Sequence, residues 1–122
     1  MIKHFRNMEA WQRASLLSQK VFGLTKSLPR SEDYGLTSQL RRSANSVSAN
    51  IAEAFGRKSK KDKSNFYIIA RGSAYETQSH LIYGVKVGYF DSNQVKQINK
   101  GYQNLIHQLN KILKTLKSQS KV

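Results

Sequence analysis

The sequence predicts an all-α protein that folds as an antiparallel, up-down-up-down four-helix bundle. Apolar residues recur at steps of three and four through most of the chain, which is the period of an amphipathic helix. One proline and seven glycines divide these periodic segments into four blocks, and no segment has the alternation of a strand. We place the helices at about residues 7–28, 33–55, 60–87 and 92–117 of a single domain spanning residues 1–122.

The first two blocks end at residues that oppose continuation of a helix. The first block has these apolar residues at helical spacing: Met8, Trp11, Ala14, Leu17, Val21 and Leu24. It ends at Leu28, because the following Pro29 disfavours helical dihedral angles there. The second block begins near Glu32 and Asp33, whose charges suit the positive end of a helix dipole. It ends at Gly56, where we expect the left-handed conformation of a C′ residue.

Capping signals open the third and fourth blocks. Ser59 and Asp62 form an S-x-x-D capping box, and Asp91 is placed to cap the fourth helix. The fourth helix has a heptad pattern of apolar residues: Val95, Ile98, Tyr102, Leu105, Leu109, Ile112 and Leu116. Gly72 lies inside the third helix and predicts the close approach of small residues on the second helix. We expect residues 118–122 to fray.

The third helix contains five consecutive apolar or aromatic residues, Phe66–Ala70, which go all the way around it. A helix of this kind must be covered on more than one side. A chain of 122 residues can bury only a small core, so assembly into an oligomer is favourable. We therefore expect the bundle to cover one side of this helix and a neighbouring subunit to cover another.

The composition favours polyanionic partners. The chain has 21 Lys+Arg against 7 Asp+Glu, a formal charge of +14, and such an excess attracts RNA, DNA or an anionic surface. The alternative is that the charge only keeps the protein in solution. The absence of cysteine excludes disulfides, thiolate zinc sites and cysteine nucleophiles. We find no apolar run of membrane-spanning length and no signal-peptide core, and we expect a cytoplasmic protein without a membrane partner.

The sequence offers no constellation of catalytic residues. His4, His80 and His107 are scattered, with no carboxylates at zinc-ligand spacing. Glu76 and His80 are four residues apart, whereas di-iron bundles use two Glu-x-x-His pairs. Phosphate-binding loops, dinucleotide fingerprints and nucleophile elbows are missing from the sequence. We expect neither an enzyme nor a metal or cofactor site.

Cations concentrate where the second helix gives way to the third. The candidate nucleic-acid-binding residues there are Arg57, Lys58, Lys60, Lys61 and Lys63, and on the last helix they are Lys111, Lys114 and Lys117. Lys100 and Lys121 extend the set on the last helix. Charge spread over several elements predicts a broad surface that binds phosphates with little sequence choice. The alternative is a solvated loop, because charge runs are common on surfaces.

Polar residues also lie among the apolar residues of the second and third helices. They are Arg41, Arg42, Asn50, Glu53 and Glu76. Burying such groups costs free energy unless they find partners. We expect them to form a polar network inside the bundle that fixes the register of the helices. A catalytic or metal-binding pair of carboxylates is the alternative.

Several of these residues belong to a pattern that resembles a known family. It consists of Gln39–Val47 (QLRRSANSV), Asn50–Glu53 (NIAE), Gly56-Arg57, Ala70–Ser73 (ARGS) and Glu76. The pattern resembles the four-helix bundle proteins encoded in intervening sequences of bacterial 23S ribosomal RNA genes. The resemblance implies a ring-like homopentamer. It also implies a relation to the accessory proteins of diversity-generating retroelements, which are basic pentamers that bind nucleic acid and a reverse transcriptase.

Three hypotheses about function remain open. The first is a non-enzymatic, basic oligomer that binds RNA or DNA phosphates through its lysines and arginines. The second is an adaptor or scaffold that binds a protein partner such as a reverse transcriptase. The third is binding at a membrane surface, which would need a helix with cations on one face and exposed bulky apolar residues on the other.

Overall fold

The computed structural model describes residues 2–119, which form four α-helices and two short 3₁₀ turns. The helices are α1 (Glu9–Thr25), α2 (Leu36–Phe55), α3 (Lys60–Lys86) and α4 (Ser92–Gln119). The 3₁₀ turns are Phe5–Asn7 and Arg30–Glu32. The described residues contain no strand, and the predicted all-α fold class is confirmed.

The four helices form a bundle in which each helix packs on two neighbours. α1 packs against α2 and α4, and α3 packs against the same two helices. Within residues 2–119, the diagonal pairs α1–α3 and α2–α4 do not pack together. Because short connections join consecutive helices, neighbours in this square run antiparallel. The largest fully buried apolar side chains are Tyr102, Leu40, Ile51, Leu81, Leu105, Ile106, Leu109, Val21 and Val47.

The connection between α1 and α2 is longer than the sequence predicts. α1 ends at Thr25, and α2 begins only at Leu36 because Arg30–Glu32 forms a separate 3₁₀ turn. Glu32 precedes α2 by four residues, and its carboxylate accepts a 3.1 Å hydrogen bond from the Leu36 amide. Glu32 therefore caps the helix from outside and is not part of its first turn. α4 continues through Gln119, and residues 120–122 lie outside the described part of the chain.

The two predicted caps form, but the predicted role of Gly56 is wrong. The Ser59 hydroxyl accepts from the Asp62 amide at 3.0 Å, and the Asp91 carboxylate accepts from the Gln94 amide at 3.0 Å. Gly56 has a right-handed φ of −79°. The left-handed conformation occurs at Gly88 after α3, with a φ of 85°.

The prediction for Gly72 is also wrong. Gly72 is exposed, and a methyl group added there would meet no atom within 4 Å. The close approach occurs at Gly84 instead, where an added Cβ would overlap the ring of Phe90. Close packing thus requires a glycine near the end of α3, where it meets Phe90 of the α3–α4 connection.

Candidate functional site

The α2–α3 connection presents three exposed lysines, Lys58, Lys60 and Lys61. Lys60 and Lys61 begin α3 directly after the Ser59 cap, so the helix fixes where they emerge. None of the three forms an ion pair with another residue of the described chain. The positive end of the α3 dipole adds to their charge rather than opposing it. This corner is therefore built to attract anions.

Arg57 and Lys63 belong to the same run of cations but already have partners within the fold. The Arg57 guanidinium lies 3.2 Å from the Glu53 carboxylate and 4.5 Å from the centroid of the Phe66 ring. The Lys63 ammonium donates 3.1 Å hydrogen bonds to the carbonyls of Ala54 and Phe55 at the end of α2. Lys63 thus satisfies carbonyls that a left-handed turn at the helix end would otherwise satisfy.

The start of α3 and the end of α4 enclose a cleft of about 520 Å³, which we call the end cleft. Its lining is Lys60, Lys61, Ser64, Asn65, Ile68, Arg71, Leu113, Leu116 and Lys117. Three of these residues are apolar, four are cationic, and none is acidic. The Arg71 guanidinium is held by a 2.9 Å hydrogen bond to the side-chain oxygen of Asn110. The volume of the end cleft lies within the range of about 300–1,000 Å³ that is usual for ligand pockets.

The structure divides the predicted cations of the last helix. Lys117 lies in the end cleft with Lys60 and Lys61. Lys111 instead lines a groove toward α1, beside Glu9, while Lys114 is exposed. The predicted binding residues therefore do not form one continuous site. The end cleft is where cations from two helices meet.

The predicted polar network is not found inside the bundle. Glu53 pairs with Arg57 at the surface, where its side chain is 50% exposed. Arg42 pairs with Glu76, whose carboxylate is also 3.2 Å from the His80 ring. The reason lies in helix geometry, because adjacent residues point about 100° apart and Glu53 precedes the buried Ala54.

The remaining two members of the predicted network have partners of their own. Arg41 donates a 2.9 Å hydrogen bond to the Thr25 hydroxyl and lies 4.2 Å from the Phe22 ring centroid, so it joins α2 to α1. Asn50 donates to the carbonyl and hydroxyl oxygens of Ser46, at 2.8 and 2.9 Å, within its own helix. Of the predicted set, Arg42 and Glu76 therefore contact each other across the α2–α3 interface, while Arg41, Asn50 and Glu53 contact residues outside the set.

Hydroxyl groups supply further polar contacts between α2 and α3. Ser46 and Ser73 lie 3.0 Å apart, oxygen to oxygen, and the Thr77 hydroxyl lies 2.9 Å from that of Ser43. Both pairs cross the helix interface, and Thr77 is fully buried. These pairs were not predicted from the sequence, although hydroxyl residues three or four positions apart on two neighbouring helices were an available signal.

A second surface lies on α3 and is apolar. It consists of Ile69, Tyr75, Ile82 and Tyr83 together with Val87 directly after the helix, each about half exposed, and we call it the α3 face. Tyr75 and Ile82 are seven residues apart and lie on one side of the helix. The small residues Gly72 and Ser79, three positions before and four positions after Tyr75, lie on the same side. Within the predicted all-round apolar segment, the bundle buries Tyr67 and Ala70 and leaves Ile68 and Ile69 about half exposed.

Two further findings concern the described residues as a whole. No helix within residues 2–119 combines the length and apolar character needed to cross a membrane. Across the same range, no three His, Asp or Glu side chains gather closely enough to hold a metal ion.

Comparisons with known proteins place the chain in a family. The model of the 23S rRNA-intervening sequence protein family matches residues 6–111. A crystal structure of a protein of unknown function from the S23 ribosomal protein family of Bacteroides thetaiotaomicron superposes with a TM-score of 0.80. The two sequences are 26% identical over 86% of this chain and 98% of the other. No curated protein matches the sequence. The match over most of its length shows that this chain belongs to the family of 23S rRNA-intervening sequence proteins.

Proposed function

We propose that this protein is a non-enzymatic, basic bundle that binds the phosphates of RNA or DNA in the cytoplasm. The observation that carries the proposal is the end cleft, where Lys60, Lys61 and Arg71 of α3 and Lys117 of α4 line one cavity. The formal charge of +14 supplies the long-range attraction. The site gathers cations at one place, which a charge serving only solubility does not require.

The local arrangement favours phosphate binding over a solvated loop. Lys58, Lys60 and Lys61 emerge at a capped helix start, so their positions relative to the end cleft are fixed by the fold. Lysines that contact phosphates release condensed counterions, and binding weakens steeply as salt is added. Contacts of this kind set the position of a nucleic acid but do not identify its bases. The expected ligand is therefore chosen by charge and shape rather than sequence.

We also propose that the α3 face binds further copies of this chain in a ring-like homopentamer, as the family resemblance implies. Tyr75 and Ile82 remain 50% and 47% exposed, and contiguous exposed apolar patches mark interaction sites. Assembly would bring the end clefts of several chains onto one particle and increase binding through multivalency.

Light scattering tests the assembly. The wild type should form an oligomer larger than a dimer at micromolar concentration, and Ile82→Glu should dissociate it. Leu16→Glu, at an exposed position on α1, is the control for added charge. A monomeric wild type would contradict self-association. It would favour the alternative in which the α3 face binds a different protein, such as a reverse transcriptase.

A matched pair of triple variants tests nucleic-acid binding. In the first, Lys58, Lys60 and Lys61 are changed to serine. In the second, the exposed Lys20, Lys86 and Lys96, which lie away from the end cleft, are changed to serine with the same loss of charge. Fluorescence anisotropy of a labelled RNA hairpin should show much weaker binding for the first variant. Equal loss in both variants would mean that net charge, not this corner, controls binding.

A further inference from the structure

The end cleft combines two properties that phosphate binding alone does not require. Ile68, Leu113 and Leu116 give it an apolar lining, and the last two are held against the bundle core. Lysines and one arginine from both helices surround this lining. An exposed apolar lining inside a cationic rim indicates a ligand with a flat, apolar part and negative charges beside it.

Duplex and single-stranded nucleic acids differ in whether they expose the flat faces of their bases. A duplex directs its phosphates outward and keeps the faces of its bases stacked inside. It could contact the lysines, but it would leave Leu113 and Leu116 uncovered. An unpaired nucleotide exposes the face of its base, and proteins commonly stack such bases on aromatic or arginine side chains while cations hold the adjoining phosphates.

We propose that the end cleft binds an unpaired nucleotide, so that single-stranded nucleic acid binds more tightly than duplex. The inference rests on the proposed function and specifies its ligand class. The base would lie against Leu113 and Leu116, with its flanking phosphates near Lys60 and Lys61. Arg71 supports this arrangement, because its bond to Asn110 holds a guanidinium at the cleft, where it can stack on a base or bind a phosphate.

The polar residues of the cleft favour a nucleotide over an acidic, amphipathic peptide. Ser64 and Asn65 line the cleft beside the cations and offer hydrogen-bond donors and acceptors suited to base edges. A helical peptide would instead require a long apolar groove with successive anchor positions. The apolar lining here is short, since it involves one residue of α3 and two residues one turn apart on α4.

The test compares a labelled single-stranded oligonucleotide with a duplex of the same total phosphate number. Leu116→Gln removes apolar lining while keeping a residue with good helix propensity. We expect it to weaken single-strand binding about tenfold, because the base loses apolar contact area, and to change duplex binding less than twofold. Leu16→Gln, at an exposed leucine outside the cleft, should change neither.

A second variant guards against a local disturbance of α4. Ser64→Leu narrows the cleft from α3 and leaves every cation and both leucines in place. It should also weaken single-strand binding selectively. Equal wild-type affinity for both nucleic acids, or variants that leave single-strand binding unchanged, would overturn the inference while the proposed function stands. An acidic peptide that competes as well as the oligonucleotide would also overturn it. Failure of both nucleic acids to bind would refute the proposed function itself.

Discussion

The phenol of Tyr89 donates a 2.9 Å hydrogen bond to the carboxylate of Glu32 and so joins the two connections at one end of the bundle. The other oxygen of that carboxylate caps α2 at the Leu36 amide. These two bonds hold the pKa of Glu32 below its usual range, the Leu36 amide having the larger effect and Tyr89 the smaller. One side chain therefore links the α1–α2 connection to both α2 and the α3–α4 connection.

We expect Glu32→Gln to lower the melting temperature at neutral pH. Because folding lowers the pKa of Glu32, the ionised carboxylate stabilises the fold above its ordinary pKa of about 4.5. That stabilisation is lost as the pH falls through the lower folded value. The difference in melting temperature between wild type and variant, measured by circular dichroism, should shrink as the solution is acidified through the folded-state pKa of Glu32. The exposed Asp33→Asn provides the control, and a difference that stays constant with pH would refute the role of Glu32.

Gly84 should not tolerate a side chain. A Cβ at this position would overlap the Phe90 ring, and the Gly84 carbonyl accepts hydrogen bonds from the amides of Tyr89 and Phe90. We expect Gly84→Ala to reduce the free energy of unfolding by about 1–3 kcal/mol. Gly23→Ala, where the added methyl meets nothing within 4 Å, should instead increase it by roughly 0.5–1 kcal/mol. Urea denaturation measures both, and equal effects would contradict the packing at Gly84.

Tyr102 is fully buried, and its hydroxyl has no hydrogen-bond partner in the described chain. Burial raises the pKa of this phenol. The nearby Thr77 hydroxyl has a smaller effect in the opposite direction, although the two hydroxyl groups are not placed to form a hydrogen bond. We expect Tyr102→Phe not to lower the melting temperature, because it removes a buried group that lacks a partner. Thr77→Val should cost about 1 kcal/mol, since Thr77 is bonded to α2. A large loss on Tyr102→Phe would reveal a partner for the phenol.

Glu53→Ala should change the free energy of unfolding by less than about 0.5 kcal/mol, because an exposed ion pair contributes little. The carboxylate and its partner Arg57 are 50% and 43% exposed. The sequence suggested a buried group whose removal would destabilise the fold. Thermal unfolding of the variant distinguishes the exposed ion pair from a buried carboxylate. A decrease of several kcal/mol in the free energy of unfolding would mean that Glu53 is buried against another copy of the chain.

Periodic features of the fold were accessible from the sequence. The heptad residues of α4 from Val95 to Leu109 are buried, and Ser59 and Asp91 cap the helices that they were predicted to cap. These features depend on spacing along the chain, which a sequence displays directly. The cap at Glu32 was not recognised, because acidic residues before a helix look the same whether they lie inside its first turn or fold back onto it.

The candidate site was only partly predictable. The sequence showed that cations gather after Gly56, but not that Lys63 would cap α2 or that Arg57 would stack on Phe66. The partners of these two side chains depend on which residues the fold places beside them. The end cleft was not predicted either, since Leu116 belongs to a heptad that looks like core throughout. Leu116 lies past the start of α1, because α1 begins at Glu9, which lies in one groove with Lys111 of α4.

The central claim is most directly tested by the salt dependence of RNA binding. For wild type and for the Lys58, Lys60 and Lys61 triple serine variant, the logarithm of the binding constant is plotted against that of salt concentration. We predict a steep negative slope for the wild type and a shallower one for the variant, because each lost phosphate contact removes about 0.7–0.9 from its magnitude. Identical slopes for the two proteins, or no binding by the wild type at physiological salt, would contradict phosphate binding at this corner of the bundle.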